Sequence, residues 1–425
     1  MVAGIRGVNL IRMKKFEITE VADSESNPFD RQERISWWSQ QKLKDAKVMV
    51  VGAGAIGNET LKNLALLGIG NIFIVDFDTI STSNLSRTVL FRKEDVGKKK
   101  AEVAAAKTRE LALVDDINIH WFHGDLVWEI GTGLYQEMDI VLGCLDNVET
   151  RIAVNKNCWL TNTPWIDAGT QELGLRVEFY KPPILPCYQC NLTTEQLQNV
   201  NKRYSCDFFK RKAFEAGKIP TTQIASAIVS AFQVQEAIKY LCGQPVAVGK
   251  KIYYQGTIND YDVFSKNQND HCLAHVTYDE IIDIPLSIQA SLHAFLDFVS
   301  QEAYSGENAT LDFRGDRTFV HSISCKKCGD PIVLNRPTFR IEDEETNCNN
   351  CPEKETSRFE SGETAVKKIT QEQFNFENSS EALLEMSLSA IGVPIFHIVA
   401  VLSEKGGYKY YRLTGDKAEI LPNFN

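Results

Sequence analysis

KVMVVGAGAIGNETLKNLALLGIGNIFIVDFD, residues 47 to 78, decides the fold. Lys47 to Val51 is a short apolar run of the kind that makes a strand buried on both faces. Gly52, Gly54 and Gly57 follow at fingerprint spacing and open a helical stretch over Glu59 to Leu67, after which a second strand ends at Asp76. Each part has a physical reason. Glycines let the backbone approach phosphate, and a helix N-terminus supplies unpaired amides with a favourable dipole. An acidic residue at the end of the next strand suits a ribose hydroxyl, which makes Asp76 the candidate. Taken alone, the loop also fits a tight turn without a ligand, and the same fingerprint most often announces NAD or FAD.

Outward from this unit, apolar runs keep alternating with helical stretches. A Lys-Ala-rich helix is predicted from Lys98 to Leu113, then strands in INIHWFHGDL and DIVLGCLDN. That order predicts an α/β fold, Rossmann-like, with a mostly parallel sheet. GLRVEFY, residues 174 to 180, alternates with period two and reads as a strand added beyond the parallel core. A Cys-rich, charged loop spans Pro186 to Lys218. The helix after it, Thr222 to Leu241, mixes Ala and Ser with Ile224, Ile228, Ala231, Val234 and Ile238, and is expected to be buried. Residues 1–45 read as an arm and a short helix, 46–275 as the nucleotide-binding domain, and 276–425 as a smaller α+β domain. In the last, Leu292, Phe295, Leu296 and Val299 mark an amphipathic helix. IFHIVAVL and YKYYRL make a hairpin across Gly406-Gly407, and the polar stretch from Glu353 to Glu372 reads as loop.

Composition narrows the partners. A net charge of -10 and a pI near 5.4 disfavour a phosphate-backbone surface, so no nucleic acid is expected. The N-terminus lacks a signal-peptide pattern, and no apolar run of about 18 residues implies a membrane span, so a cytoplasmic protein is expected. In a reducing compartment 11 cysteines, six of them in Cys-x-x-Cys pairs, point to metal or nucleophiles before disulfides.

The segments after Asp76 separate ATP from NAD: DFDTISTSNLSR, VGKKKAEV and CLDNVETR. Hydride transfer needs only an oriented nicotinamide. Nucleotidyl transfer must neutralise charge developing on phosphates, which calls for Arg, Lys and a metal-binding carboxylate. Together with GAGAIG, these runs resemble the adenylation domain of ubiquitin-activating enzymes and of their bacterial relatives that activate sulfur-carrier proteins for molybdopterin and thiamin synthesis. The resemblance covers about residues 28 to 275. It implies that Gly52, Gly54, Ala55 and Gly57 line the phosphates and that Asp76 binds ribose. It further implies that Asn84, Arg87 and Lys100 contact the triphosphate, with Asp146, beside Asn147, holding Mg²⁺. In homodimeric members an arginine reaches into the partner's site; Arg31 in PFDRQERI matches it, with Arg34 the alternative. Lys98 and Lys99 read as a solvated helix start and Asp78 as a structural residue holding the turn. The implied substrate is the C-terminal carboxylate of a ubiquitin-like β-grasp protein.

Cys206 lies among Lys202, Arg203, Lys210 and Arg211, cations that favour a thiolate able to capture an acyl adenylate as a thioester. It sits in the crossover segment, about residues 191–220, where the family carries its catalytic cysteine, although the spacer to Pro220 is longer. Cys144, Cys158 and Cys242 fall in core patterns and read as packing residues. Cys187 and Cys190 pair with Cys272 and His275 as a structural Zn²⁺ site, with His271 able to replace His275. The relatives usually carry four cysteines there. Cys325, Cys328, Cys348 and Cys351, with 19 residues between the two pairs, predict a zinc ribbon over about 320–355. The chain's end loosely resembles a ubiquitin-like fold that recruits a conjugating enzyme. The expected function is activation of a ubiquitin-like protein in a homodimer; the alternatives are a sulfur-carrier adenylyltransferase, a noncatalytic scaffold of the same fold, and an NAD-dependent oxidoreductase.

Overall fold

Two short helices, α1 (Asp30–Glu33) and α2 (Gln40–Asp45), lead into β1 (Lys47–Val51) of a computed structural model that describes residues 27–193, 196, 220–304, 308–346, 350–351, 366–403 and 406–422. The chain continues through α3 (Ala55–Leu66), β2 (Asn71–Val75), α4 (Lys100–Leu111), β3 (Asn118–Phe122), α5 (Thr132–Gln136), β4 (Ile140–Gly143) and α6 (Val148–Leu160). Then come β5 (Trp165–Gln171), β6 (Gly174–Tyr180), α7 (Gln223–Leu241), β7 (Lys250–Gln255) and β8 (Asp260–Ser265).

These strands form one sheet in the order β3-β2-β1-β4-β5-β6-β7-β8. The first five are parallel, and β6 to β8 extend the sheet antiparallel, as the alternation in GLRVEFY predicts. β1 shows why its sequence is apolar throughout. Val48 and Val50 face a core shared with α3, α4 and α7, while Met49 and Val51 face a second core with α5 and α6. Strand order reverses between β1 and β4, and the carboxyl ends of those strands open a crevice.

α7 packs on α3 through small polar residues as well as apolar ones. Ser226 and Ser230 are buried, and Ser230 Oγ lies 3.1 Å from Thr60 Oγ1. The expectation that the whole helix is buried needs correction at one end, because Ile224, in its first turn, is 61% exposed.

The C-terminal region holds β9 (Ile281–Ile284), α8 (Leu292–Tyr304), β10 (Ala309–Asp312), β11 (Phe319–Cys325), β12 (Pro331–Pro337), β13 (Val366–Gln371), β14 (Gln373–Phe374), β15 (Ile398–Ser403) and β16 (Tyr408–Leu413). One sheet runs β14-β10-β15-β16-β9 and packs on α8 through Leu292, Phe295, Leu296 and Val299, the stripe read from sequence. β15 and β16 form the expected hairpin. A second, three-stranded sheet, β12-β11-β13, is inserted between β10 and β14. Its third strand corrects the loop reading of Glu353 to Glu372: Val366–Gln371 pairs antiparallel with β11, so its lysines and Ile369 belong to a ladder.

The C-terminal region is not merely tethered. Phe396, Ile420 and Leu421 sit in the same buried cluster as Met49, Phe73 and Trp165 of the large sheet. Arg317 fastens the inserted sheet, donating to the carbonyls of Trp128 (2.9 Å) and Gly392 (3.1 Å) while its guanidinium lies against the rings of Trp128 and Phe339.

Candidate active site

The crevice at the ends of β1 and β4 widens into a cavity of about 860 Å³. At its floor, two of the three glycines are dictated by packing. Gly52 has φ +94°, and a Cβ there would stand 2.5 Å from the Cys144 carbonyl oxygen; one on Gly57 would meet the Gly52 carbonyl oxygen at 1.9 Å. Gly54 differs, since a Cβ there would meet nothing within 4 Å. The backbone at Gly54 faces open cavity, so packing does not require glycine there, whereas close approach of a ligand to the loop would.

Asp76 fixes this loop, accepting from Ala53 N–H (2.7 Å) and Asp78 N–H (2.8 Å). Burial raises its carboxyl above the ordinary value against the pull of Lys100 and the two backbone donors. Asn58, which the sequence reading passed over, is fully buried and braces the loop from behind. Its amide donates to the carbonyls of Ala53 (2.7 Å) and Gly54 (3.0 Å), and its side-chain oxygen accepts from Leu90 N–H. One polar side chain thereby ties the glycine loop to the segment that carries Asn84 and Arg87.

Asn84, Arg87, Lys100, Asp146 and Asn147 all line the same cavity as Gly52, Gly54, Ala55 and Asp76; Gly57 lies just behind, inside α3. Lys100 Nζ reaches Asp78 at 2.6 Å. Asp78, read from sequence as holding the turn, also lines the cavity and is the counter-ion of Lys100. Arg87 donates to the Ser83 carbonyl (2.6 Å), and Asn84 caps its own turn by accepting from Ser81 N–H (3.0 Å). Asn147 caps α6, accepting from Thr150 N–H, and its amide donates to Asp146 Oδ1 (3.1 Å). The Asp146 carboxylate is exposed to the cavity, which fits an oxygen-ligated Mg²⁺. Lys98 pairs with Asp95 and Lys99 lies over the Trp121 ring, so neither joins the site.

Beyond the nucleotide end, the cavity continues past Arg176 to Tyr253 and Gln255 on the antiparallel strands. Its wall rests on charges that sequence reading did not assign. Asp167, fully buried, accepts from Arg151 Nε (2.8 Å) and from Arg176 Nη1 (2.8 Å). Arg151 also donates to the Leu145 carbonyl, one residue before Asp146. Gly169 makes room for this arrangement, because a Cβ there would press within 2.9 Å of the Arg176 guanidinium. The signal was present in GLRVEFY: Arg176 and Glu178 share one face of a strand whose other face is apolar, and charges there need partners.

Arg31 is exposed on α1 and Arg34 pairs with Asp30 at 2.8 Å; neither lines this chain's own cavity. Cys206 lies outside the described residues, as does Cys348. Cys144 touches the cavity, but burial pushes its thiol up to about 12, and burial likewise raises Cys158. Both read as packing residues.

Cys187, Cys190, Cys272 and His275 bring four ligand atoms within 4.8 Å of one another, with His271 outside the group. The Cys187–Cys272 and Cys187–Cys190 sulfurs are 3.7 Å apart. A tetrahedral zinc with Zn–S bonds of about 2.3 Å requires about 3.8 Å between sulfurs. Burial, and then the neighbouring thiols, push the Cys187 thiol up, so a divalent cation is what would let these sulfurs ionise together. Cys325, Cys328 and Cys351 converge in the same way at the turn between β11 and β12.

Residues 29–276, more than half of the chain, match the sequence model of the ThiF family. SUMO-activating enzyme subunit 2 of Dictyostelium discoideum is 39% identical over 150 residues, 35% of this chain and 22% of that protein. Ubiquitin-like modifier-activating enzyme 5 of Drosophila ananassae is 30% identical over 241 residues, covering 52% of this chain and 58% of its own length. The chain therefore spans well under two thirds of these relatives. Among solved structures, E. coli MccB with succinimide superposes with a TM-score of 0.50 at 26% identity, over 60% of this chain and 75% of that one. Among the described residues no helix is long and apolar enough to cross a membrane.

Proposed function

The chain belongs to the ThiF family, and from that premise we propose that its cavity binds ATP and adenylates the C-terminal carboxylate of a ubiquitin-like β-grasp protein. One observation carries the reading. A glycine loop, two cations and a cavity-facing carboxylate share a cavity that runs on past Arg176, leaving room for an extended acceptor beyond the nucleotide. In the proposed reaction a carboxylate oxygen attacks the α-phosphorus, the bond to the β-phosphate breaks, and pyrophosphate leaves. Asp76 holds the ribose, and Gly54 lets the backbone close on the phosphates. Lys100, released from Asp78, and Arg87 then face the charge that develops on them. Asp146 would hold Mg²⁺, which supplies further positive charge there.

The same reading assigns Cys206 the next step. Its thiolate attacks the acyl carbonyl, AMP leaves, and the thioester passes to a conjugating enzyme. Arg31 reaches the partner's cavity in a homodimer, structural zinc sits in both cysteine clusters, and the protein works in the cytoplasm, where reduced thiols persist. ATP–pyrophosphate exchange that depends on a β-grasp protein tests the proposal, and its absence with every such candidate contradicts it. A reductant-sensitive adduct lost in Cys206→Ala supports the thioester. Its persistence in that variant excludes Cys206, and the lack of any adduct in the wild type favours a sulfur-carrier adenylyltransferase.

A further inference from the structure

The side of the sheet that holds the metal ligands is joined to the nucleotide loop by two physical routes. α6 is the first. It begins at Asn147, beside Asp146, and at its far end Trp159 lies against the His275 ring, with centroids 4.6 Å apart. Asn155, on the same helix and fully buried, accepts from Tyr188 N–H (3.0 Å) inside the Cys187–Cys190 turn. The second route is ionic. Lys266 leaves β8 into the loop that reaches Cys272, and that loop is latched to the Cys190 side by reciprocal bonds between Asn191 and Asn267. From there the Lys266 ammonium, 10% exposed, points back under the sheet to Glu178 and the Tyr180 hydroxyl.

Glu178 hands the charge on to Arg176 (3.4 Å), Arg176 to Asp167, and Asp167 to Arg151, which grips the Leu145 carbonyl. Two carboxylates and three cations alternate along this line. Removing a terminal charge leaves its buried neighbour with one cation instead of two, Glu178 with Arg176 alone, and the remaining members shift to share what is left. Lys266 itself lines no part of the nucleotide cavity.

We propose that Lys266 is a positioning residue of the nucleotide site: through Glu178, Arg176, Asp167 and Arg151 it holds the loop that presents Asp146 to the metal of the bound nucleotide. The inference rests on the cavity being a nucleotide site. It assigns separate duties within that site. Asp76 grips the ribose, and the glycine loop braced by Asn58 meets the phosphates, without help from Lys266. The Asp146 loop depends on the ion chain.

Calorimetric binding of adenosine and of ATP, the latter across a Mg²⁺ titration, tests this in the full chain. Lys266→Met is expected to leave adenosine affinity within about twofold of wild type while raising the Mg²⁺ concentration for half-maximal ATP binding about tenfold. Lys266→Arg should restore it. Glu178→Gln should give the same split, and the double variant should be no worse than the poorer single one, because both act on one chain. Equal losses for adenosine and ATP, no change in Mg²⁺ dependence, or additive effects of the two substitutions would overturn the proposal. Should Lys266→Met fail to fold, Glu178→Gln carries the same test through the adenosine and Mg²⁺ readouts, with Lys266→Arg expected to match wild type. Failure of pyrophosphate exchange in the wild type, with these shifts present in the variants, would instead count against adenylation alone.

Discussion

At the residue scale, the three glycines that look equivalent in GAGAIG have different physical grounds. Gly52 and Gly57 are demanded by backbone contacts, whereas Gly54 is demanded by nothing in the protein itself. Gly54→Ala should therefore keep stability within about 0.5 kcal/mol of wild type. It should weaken ATP binding at least about tenfold, because its methyl occupies the approach to phosphate; thermal melts beside ATP titration separate the two effects. The fingerprint, Asp76, Arg87, Lys100 and Asp146 were legible in sequence because each sits in a short ordered motif. Asn58 and Asp167 were not, since one buried polar residue inside an apolar stretch shows its partners only when distant strands meet. The partner of Asp78 was hidden for a related reason: its ion pair with Lys100 spans 22 positions and forms only when α4 returns to the crevice.

At the element scale, β6 is the least ordinary strand. Burial pushes the Glu178 carboxyl up, but Lys266 and Arg176 outweigh it and hold the group down at about 2, well below the usual carboxylate range. A carboxyl depressed in the folded state adds stability above its unfolded value and loses it as pH falls through the folded one. The contribution of Glu178 is thus whole above about pH 4.5 and fades towards about pH 2. Urea unfolding at about pH 6 and about pH 3.5, on either side of the ordinary carboxyl value, should show a shallower fall in stability for Glu178→Gln than for wild type, from a lower starting point. Parallel falls would contradict the assignment. The metal clusters belong to this scale too. Extracting metal with a chelator should lower the melting temperature by several degrees. Metal analysis beforehand should return two zincs per chain, and Cys272→Ser should remove one of them.

The parallel core, the added strand and the amphipathic helix were readable because each buries a continuous face with its own period. β13 was not, because its partner lies beyond a long insertion and its lysines mimic a solvent-facing loop. The exposed start of α7 was missed for a converse reason: Ile224 is apolar yet exposed, between Gln223, which already bonds to Glu59 of α3, and the buried Ala225.

At the scale of the whole molecule, the domain boundary read near residue 275 is a boundary in sequence more than in packing. Phe396, Ile420 and Leu421 complete a core on the large sheet, and Arg412 and Lys417 both pair with Glu137 of the nucleotide-binding region. Ending the chain at residue 275 would uncover that apolar face. The truncated protein is expected to aggregate or to melt well below the full chain, and a soluble fragment of unchanged stability would contradict this. Recruitment of a conjugating enzyme by the C-terminal region is therefore better tested with substitutions on its exposed surface than by deletion.

Transfer of adenylate to a carboxylate at the β1–β4 switch is measured most directly with ATP labelled at the α-phosphate, incubated with the full chain, Mg²⁺ and a β-grasp protein ending in a free carboxylate. Label appearing on the C-terminus of the β-grasp protein, with pyrophosphate released and with both lost in Asp146→Ala, is the predicted result. Release of ADP and phosphate, or label transfer that survives Asp146→Ala, would contradict it.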